Sequence, residues 1–171
     1  MRPEWSRPER LDAIGAEART VRIEADEGER AALARRFALP AIARLQAEFA
    51  VRREAAGVAA TGRVTGRVTQ SCSATGEPLE ADIDAPVDLR FVKESDAAEE
   101  VELSADALDT LPIEGGAVDL GEAAAQTLLL ALDPFPRSPA AAQALLEAGV
   151  LSEGEAGPFG ALAALRDKLK R

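Results

Sequence analysis

The stretch VAATGRVTGRVTQSCSATGEPLEADIDAPVDLRF, residues 58–91, decides the fold of this chain. Apolar or small side chains alternate with polar ones over residues 58–72, and the same alternation returns over residues 79–91. A period of two is typical of a strand that buries one of its faces. Gly and Pro in the connection 73–78 indicate a turn. The stretch therefore predicts two long consecutive strands.

Two features of these strands predict that the sheet bends. Gly62 and Gly66 fall on the inner face of the first strand, where they remove bulk so that a strand can curve or be approached closely. Pro86 interrupts the ladder of the second strand, which is typical of an edge or a bulge. We therefore expect a strongly curved sheet or a small barrel.

The segments before this stretch contain two further strands and a helix. Residues 19–24 alternate and predict a short strand. Asp26 and Glu29 have the spacing of a capping box, so a helix begins there, and it ends before Pro40. Residues 42–53 have an apolar period of two and predict a strand, although their Ala and Arg content also suits a helix.

The segments after this stretch are mainly helical. Asp119 and Glu122 form a second capping box, and the helix that they open is apolar nearly all round, so we expect it to be the buried central helix. Further helices are predicted from about residue 138 to residue 148 and over residues 158–169. The acidic stretch 94–116 is expected to be mobile.

These elements predict an α+β fold: a curved antiparallel sheet or small β-barrel, packed by a central helix and a C-terminal helix. At roughly 150 residues per domain, we expect residues 19–171 to form a single domain after an N-terminal tail, residues 1–18. The chain has no apolar run of about 18 residues and no apolar signal core at its start. We therefore expect a cytoplasmic protein.

The composition excludes several classes of enzyme. The chain has 171 residues, with one cysteine and neither histidine nor tyrosine. The usual Ser-His-Asp and Cys-His nucleophiles are therefore impossible, as are zinc sites built on histidine or on several cysteines. No P-loop and no G-x-G-x-x-G motif is present. We expect a protein that is not an enzyme, that acts by binding and that needs no cofactor.

The formal charge of −10 is distributed unevenly along the chain. Residues 30–67 hold eight basic and two acidic side chains, whereas residues 68–122 hold two basic and 15 acidic ones. One explanation is that the two stretches pair across the sheet, because opposite charges on neighbouring strands stabilise their pairing.

Binding functions are equally compatible with this distribution. Arginine forks bind phosphate bidentately, so a set of arginines are candidates for an RNA-binding face: Arg30, Arg35, Arg36, Arg44, Arg52, Arg53, Arg63 and Arg67. Against direct RNA contact, no aromatic side chain lies on that face to stack bases, and the net charge repels RNA. A second set is a candidate acidic face for a basic protein: Glu80, Asp82, Asp84 and Asp88.

The same acidic face has a catalytic alternative. Asp82 and Asp84 lie two residues apart on one strand face, where their carboxylates can bind Mg²⁺. The alternative function is therefore a metal-dependent nuclease or hydrolase. A solvated strand face is the commoner origin of such a pattern.

Two short motifs, one in the turn and one at a helix start, are the most specific features of the chain. Their residues are Gln70, Cys72, Asp119, Gly121 and Glu122. Together with residues 29–37, 62–78, 118–137 and 158–165, they occur in the order found in the YceD family. The members of that family are bacterial and plastid proteins that are also called large ribosomal RNA subunit accumulation proteins. The chain resembles them over most of residues 19–169.

The resemblance implies a non-catalytic accessory factor in 23S ribosomal RNA accumulation, maturation or ribosome biogenesis. Its partner would be a ribosomal RNA precursor, a basic ribosomal protein or an RNA-processing factor. Many relatives carry a C-x-x-C at the turn, which suits zinc, but here Cys72 is followed by Thr75, so the metal site is not carried over. Only Arg67 is near Cys72, so we expect a buried small side chain whose pKa nothing lowers.

Overall fold

A computed structural model describes residues 3–92, 110–113 and 115–150. The elements in chain order are β1 (Pro8–Arg10), β2 (Arg19–Glu24), α1 (Glu27–Arg36), β3 (Ala41–Glu54), β4 (Gly57–Ser71), β5 (Pro78–Val92), β6 (Thr110–Pro112), β7 (Ala117–Asp119), α2 (Leu120–Ala131) and α3 (Ala141–Glu147). They belong to two compact units, of which the first comprises Met1–Gln70 and Glu80–Pro134 and the second Ser71–Leu79 and Phe135–Arg171. The helix predicted over 158–169 lies outside the described residues.

The main sheet has five strands in the order β2-β3-β4-β5-β6 and does not close on itself. β3 pairs antiparallel with β2 and with β4, whereas β5 and β6 are parallel. The α+β class and the curved sheet are thus confirmed, and the sheet is open rather than a barrel. Gly62 is required at its position, because a Cβ there would lie 1.9 Å from the Glu48 carbonyl oxygen of β3.

Alternating side chains of the strands build the core on one face of the sheet. Phe49, Val64 and Val68 are completely buried, while the residues between them on β3 and β4 point outward. β3 is a strand over its whole length, which confirms the period of two over its helix-favouring composition. A bulge between Ile42 and Arg44 shifts its register against β4.

The helices follow their predicted caps closely, with one difference. α1 begins with a complete capping box between Asp26 and Glu29. α2 begins at Asp119, whose carboxylate accepts hydrogen bonds from the N–H groups of Gly121 and Glu122. α2 is buried as predicted, since Leu120, Ala124 and Leu128 are completely buried, although Leu130 near its end is 86% exposed. In the second unit, α3 forms over the short segment predicted to be helical.

Several described residues near the start of the chain pack into the first unit. Trp5 is completely buried in the core, and β1 pairs antiparallel with β7, so that Pro8 lies opposite Asp119. Local sequence patterns do not reveal this pairing, because its two strands have three residues each and lie more than 100 positions apart. The assignment of residues 19–171 to one domain stays a prediction.

Candidate functional site

Two arginines and two aspartates that were candidates for different partners are paired with each other on the outer face of the sheet. Arg63 of β4 donates to Asp84 of β5 at 2.6 Å. Arg67 forms a bidentate pair with Asp82, with both contacts at 2.9 Å. The hydrogen bond from Arg67 holds the pKa of Asp82 below its usual value. The explanation that the basic and acidic stretches pair across the sheet therefore applies at these four residues.

The pairing continues into the neighbouring strands as a ladder of alternating charge. Arg22 of β2 bonds Glu48 of β3, and Glu48 lies opposite Arg63 in the register of β3 and β4. A groove of about 790 Å³ runs along this ladder, and its polar lining also includes Gln46 and Thr65. The groove is charge-balanced, because two arginines and two glutamates line it, and these charged groups are exposed.

The other arginine candidates differ in whether a carboxylate neutralises them. Arg36 of α1 contacts Glu122 at 2.7 Å and Glu4 at 2.9 Å, and the bond with Glu122 is the main reason that its pKa is raised. Arg52 pairs with Glu54 at 2.7 Å. The Arg35 side chain forms neither a hydrogen bond nor an ion pair with any residue that the structure describes. Among Arg35, Arg36, Arg52, Arg63 and Arg67, it is therefore the one arginine without a bonded carboxylate in the described part of the chain.

The acidic candidates divide in the same way. Asp82 and Asp84 are each bonded to an arginine, as described above. Glu80 and Asp88 are exposed on the same strand and form no ion pair within the described part of the chain. Within residues 3–92, 110–113 and 115–150, no group of three or more acidic or cysteine side chains is arranged to hold a metal ion.

The second motif holds the N-terminal segment against the two helices of the first unit. The Asp119 carboxylate accepts from the Ser6 hydroxyl at 2.5 Å and from the Arg7 N–H at 2.8 Å, in addition to capping α2. A Cβ on Gly121 would lie 2.5 Å from the Trp5 carbonyl oxygen. The Glu122 side chain bonds Arg36 of α1 and does not complete the predicted capping box. The motif thus forms a clasp, made of Asp119, Gly121 and Glu122, around residues 4–7.

Gln70 is a structural residue of the first unit. Its side chain is 8% exposed, and its amide donates to the Asp133 carbonyl oxygen at 2.8 Å. That bond ties the end of β4 to the residues that follow α2. The sequence does not predict this contact, because 63 residues separate Gln70 from Asp133.

Cys72 lies in the second unit and is buried, as the alternation of β4 predicted. The expectation that nothing lowers its pKa was wrong: hydrogen bonds from the Thr75 side chain and from the Ser138 N–H, which lies 3.3 Å from Sγ, lower it to about 6. Both donors are uncharged, and Ser138 lies 66 positions from Cys72 in the sequence. A search of the sequence for charged neighbours of Cys72 therefore does not find them. One thiol with hydroxyl neighbours does not fit zinc, which prefers several Cys or His ligands.

The described geometry defines an α+β protein with an open mixed sheet and a charge-balanced outer face. The family model for large ribosomal RNA subunit accumulation protein YceD matches residues 60–166, and the chain belongs to this family. The match includes most of β4, all of β5 and both motifs, while α1 and the strands before β4 lie outside it. No curated protein and no solved structure matches the chain. No helix in the described residues has the length and apolarity needed to cross a membrane.

Proposed function

We propose that this chain is a non-catalytic accessory factor in the accumulation of 23S ribosomal RNA, and that it acts in the cytoplasm by binding a component of large-subunit assembly. The family to which it belongs is described by ribosomal RNA accumulation and not by a reaction. The observation that supports binding over catalysis is the pairing of Arg63 with Asp84 and of Arg67 with Asp82. Each carboxylate that a nuclease would use for metal is held by a guanidinium group.

Exposed ion pairs are well suited to recognition. Each contributes little to the stability of the free protein, since the median for surface pairs is about 0–1 kcal/mol. A protein partner with complementary charges can therefore replace these pairs at low cost, whereas RNA finds no free cation at Arg63 and Arg67. The partner is an RNA precursor, a basic ribosomal protein or an RNA-processing factor.

Depletion of the protein tests the proposed role. We expect a lower ratio of large to small ribosomal RNA, restored by the wild-type chain and equally by an Asp82→Asn, Asp84→Asn variant, since no metal chemistry is involved. An unchanged ratio after depletion would reject the role itself. Rescue by the wild type but not by the double variant, together with Mg²⁺-dependent RNA cleavage in vitro, would favour the nuclease alternative.

A pull-down with the tagged protein distinguishes an RNA partner from a protein partner. One half of the sample is treated with ribonuclease before washing. Loss of all partners on treatment indicates direct RNA binding, whereas a basic protein that stays bound and dissociates in salt indicates a protein partner.

A further inference from the structure

The first residues of β3 and the helix α1 form a basic cleft in the first unit. The cleft has a volume of about 390 Å³, and its walls carry Arg30 and Arg35 from α1 and the small side chains of Ala41 and Ala43 from β3. Glu27, at the start of α1, is the one acidic side chain in the lining. The cleft therefore carries a positive charge in a chain whose net charge is negative.

The cations of this cleft are not neutralised by carboxylates. The Arg35 side chain has no hydrogen-bond or ion-pair partner among the described residues. Arg30 donates to the Ala25 carbonyl oxygen at 2.6 Å and keeps its full charge. This distinguishes the cleft from the outer face of the sheet, where Arg63 and Arg67 each have an aspartate.

Arg44 extends the positive charge along β3. The bulge between Ile42 and Arg44 leaves Ala43 and Arg44 both exposed, one after the other. Arg44 lies opposite Arg67 in the register of β3 and β4. The charge of Arg44 helps to lower the pKa of Asp82, the carboxylate that is bonded to Arg67. Arg67 takes up the hydrogen bonds of Asp82, so the Arg44 side chain adds a charge next to the cleft without lining it.

The open edge of β3 gives a partner room to approach. β2 pairs only with residues 46–51 of β3, so residues 41–44 have no strand beside them on that side in the described part of the chain. Ala41 and Ala43 present small side chains there. An extended backbone that carries repeated negative charge fits this edge better than a bulky apolar group.

We infer that this cleft binds the phosphate backbone of single-stranded ribosomal RNA through Arg30 and Arg35, with Arg44 as a further phosphate contact beside the cleft. The inference rests on the proposed function and names its partner. Arginine binds phosphate bidentately, and phosphate contacts supply most of the affinity of sequence-independent RNA binding. Charges are screened over about 8–10 Å at physiological ionic strength, so the distant carboxylates do not cancel the local field. The absence of stacking aromatics in the lining fits binding to the backbone rather than to the bases.

The test compares two double variants with the same loss of charge. A labelled single-stranded fragment of 23S ribosomal RNA is titrated with the wild type, with Arg35→Ala plus Arg44→Ala, and with Arg63→Ala plus Arg67→Ala. We expect the first variant to bind roughly tenfold or more weakly and its salt dependence to fall by about 0.7 per lost phosphate contact. The second variant removes arginines that aspartates already neutralise, so we expect a change of about threefold or less.

Two further measurements make the result decisive. The Arg35 and Arg44 side chains have no described bonding partner to lose, so the first variant should unfold at the wild-type temperature, and Arg35→Lys plus Arg44→Lys should recover only part of the affinity, because it restores the charge but not the bidentate fork. If both alanine variants bound RNA equally weakly, or if the first bound it with wild-type affinity, the inference that the cleft binds RNA would be wrong. A wild-type chain that binds no RNA but retains a protein partner after ribonuclease would also overturn it, while leaving the proposed role in ribosomal RNA accumulation intact.

Discussion

The acidity of Cys72 is set by two hydrogen-bond donors that surround its sulfur. The Thr75 side chain has the largest effect and the Ser138 N–H the next, and with smaller contributions from the N–H groups of Ala74 and Thr75 they lower the pKa of the thiol from 9.0 to about 6. Donors that favour the charged form act in this direction even in a buried site. Cys72 is thus buried, as the sequence predicts, and its thiol is more acidic than the sequence alone indicates.

We predict that Cys72 titrates near pH 6 in the folded protein. Because the folded pKa lies below the unfolded one, the thiolate stabilises the fold fully above about pH 9, and this contribution is lost as the pH falls from 9.0 towards about 6. The ultraviolet absorbance of the thiolate gives the pKa directly, with Cys72→Ala as the blank. The unfolding temperature of the wild type relative to that blank should rise over the same pH range.

A second variant identifies the cause of the low Cys72 pKa. Thr75→Val removes the largest contribution and keeps the shape of the side chain, so the Cys72 pKa should move up towards 9.0. A thiol that titrates near 9 in the wild type, or a Thr75→Val variant that still titrates near 6, would contradict this account.

Among the secondary-structure elements, the alternation of side chains predicted the long strands, and the caps predicted the helix starts. β3, β4 and β5 have enough residues for a period of two to outweigh composition, which is why β3 was predicted correctly despite its Ala and Arg. β1, β6 and β7 have three residues each, which is too short for any periodicity. They form because another strand lies beside them, and local sequence does not contain that information.

The candidate site was predictable in its residue types but not in its pairing. The sequence showed that Arg63, Arg67, Asp82 and Asp84 lie on outward faces, yet their partners depend on the register between β4 and β5. The bulge before Arg44 changes the register of β3 by one residue, and a regular alternation does not reveal it. The uncompensated charge of Arg35 and Arg44 became visible only when the other arginines had been assigned their carboxylates.

The clasp makes a prediction for the element that opens α2. Asp119→Ala removes an N-cap, which costs about 1–2 kcal/mol, and also releases the Ser6 hydroxyl and the Arg7 N–H from the carboxylate. We expect a total loss of about 2–3 kcal/mol in the free energy of unfolding, because both sets of bonds depend on one side chain. Urea unfolding followed by circular dichroism measures it.

Trp5 reports where the Asp119→Ala loss occurs. It is the one tryptophan of the chain and is completely buried, so its fluorescence follows residues 4–7. In Asp119→Ala, the emission should shift to longer wavelength at a lower urea concentration than the circular dichroism changes. Asp88→Ala, an exposed aspartate without an ion pair in the described residues, is the matched control and should behave like the wild type. Coincident transitions in Asp119→Ala would show that the segment does not open separately.

At the scale of the whole molecule, two kinds of charged surface coexist in the first unit. The outer face of the sheet is balanced, since Arg63 and Arg67 are each held by an aspartate, whereas the cleft beside α1 has a surplus of arginine. The net charge of −10 therefore does not describe the local electrostatic potential that RNA experiences at the cleft. Repulsion acts at long range and low salt, and the local field acts within about one Debye length.

Because aspartates neutralise Arg63 and Arg67 on the outer face of the sheet, we predict that removing the charge of these aspartates strengthens RNA binding. Asp82→Asn plus Asp84→Asn frees Arg67 and Arg63 without removing a side chain, so affinity for single-stranded RNA should rise several-fold and its salt dependence should steepen by about 0.7 per new phosphate contact. Glu80→Gln plus Asp88→Asn changes the net charge equally but frees no arginine from an ion pair, so its gain should be smaller. Equal gains would mean that net charge alone governs binding, and the balance at Arg63 and Arg67 would then have no special role. A loss of binding in the first variant would mean that the two aspartates themselves contact the partner, as a basic protein rather than RNA would require.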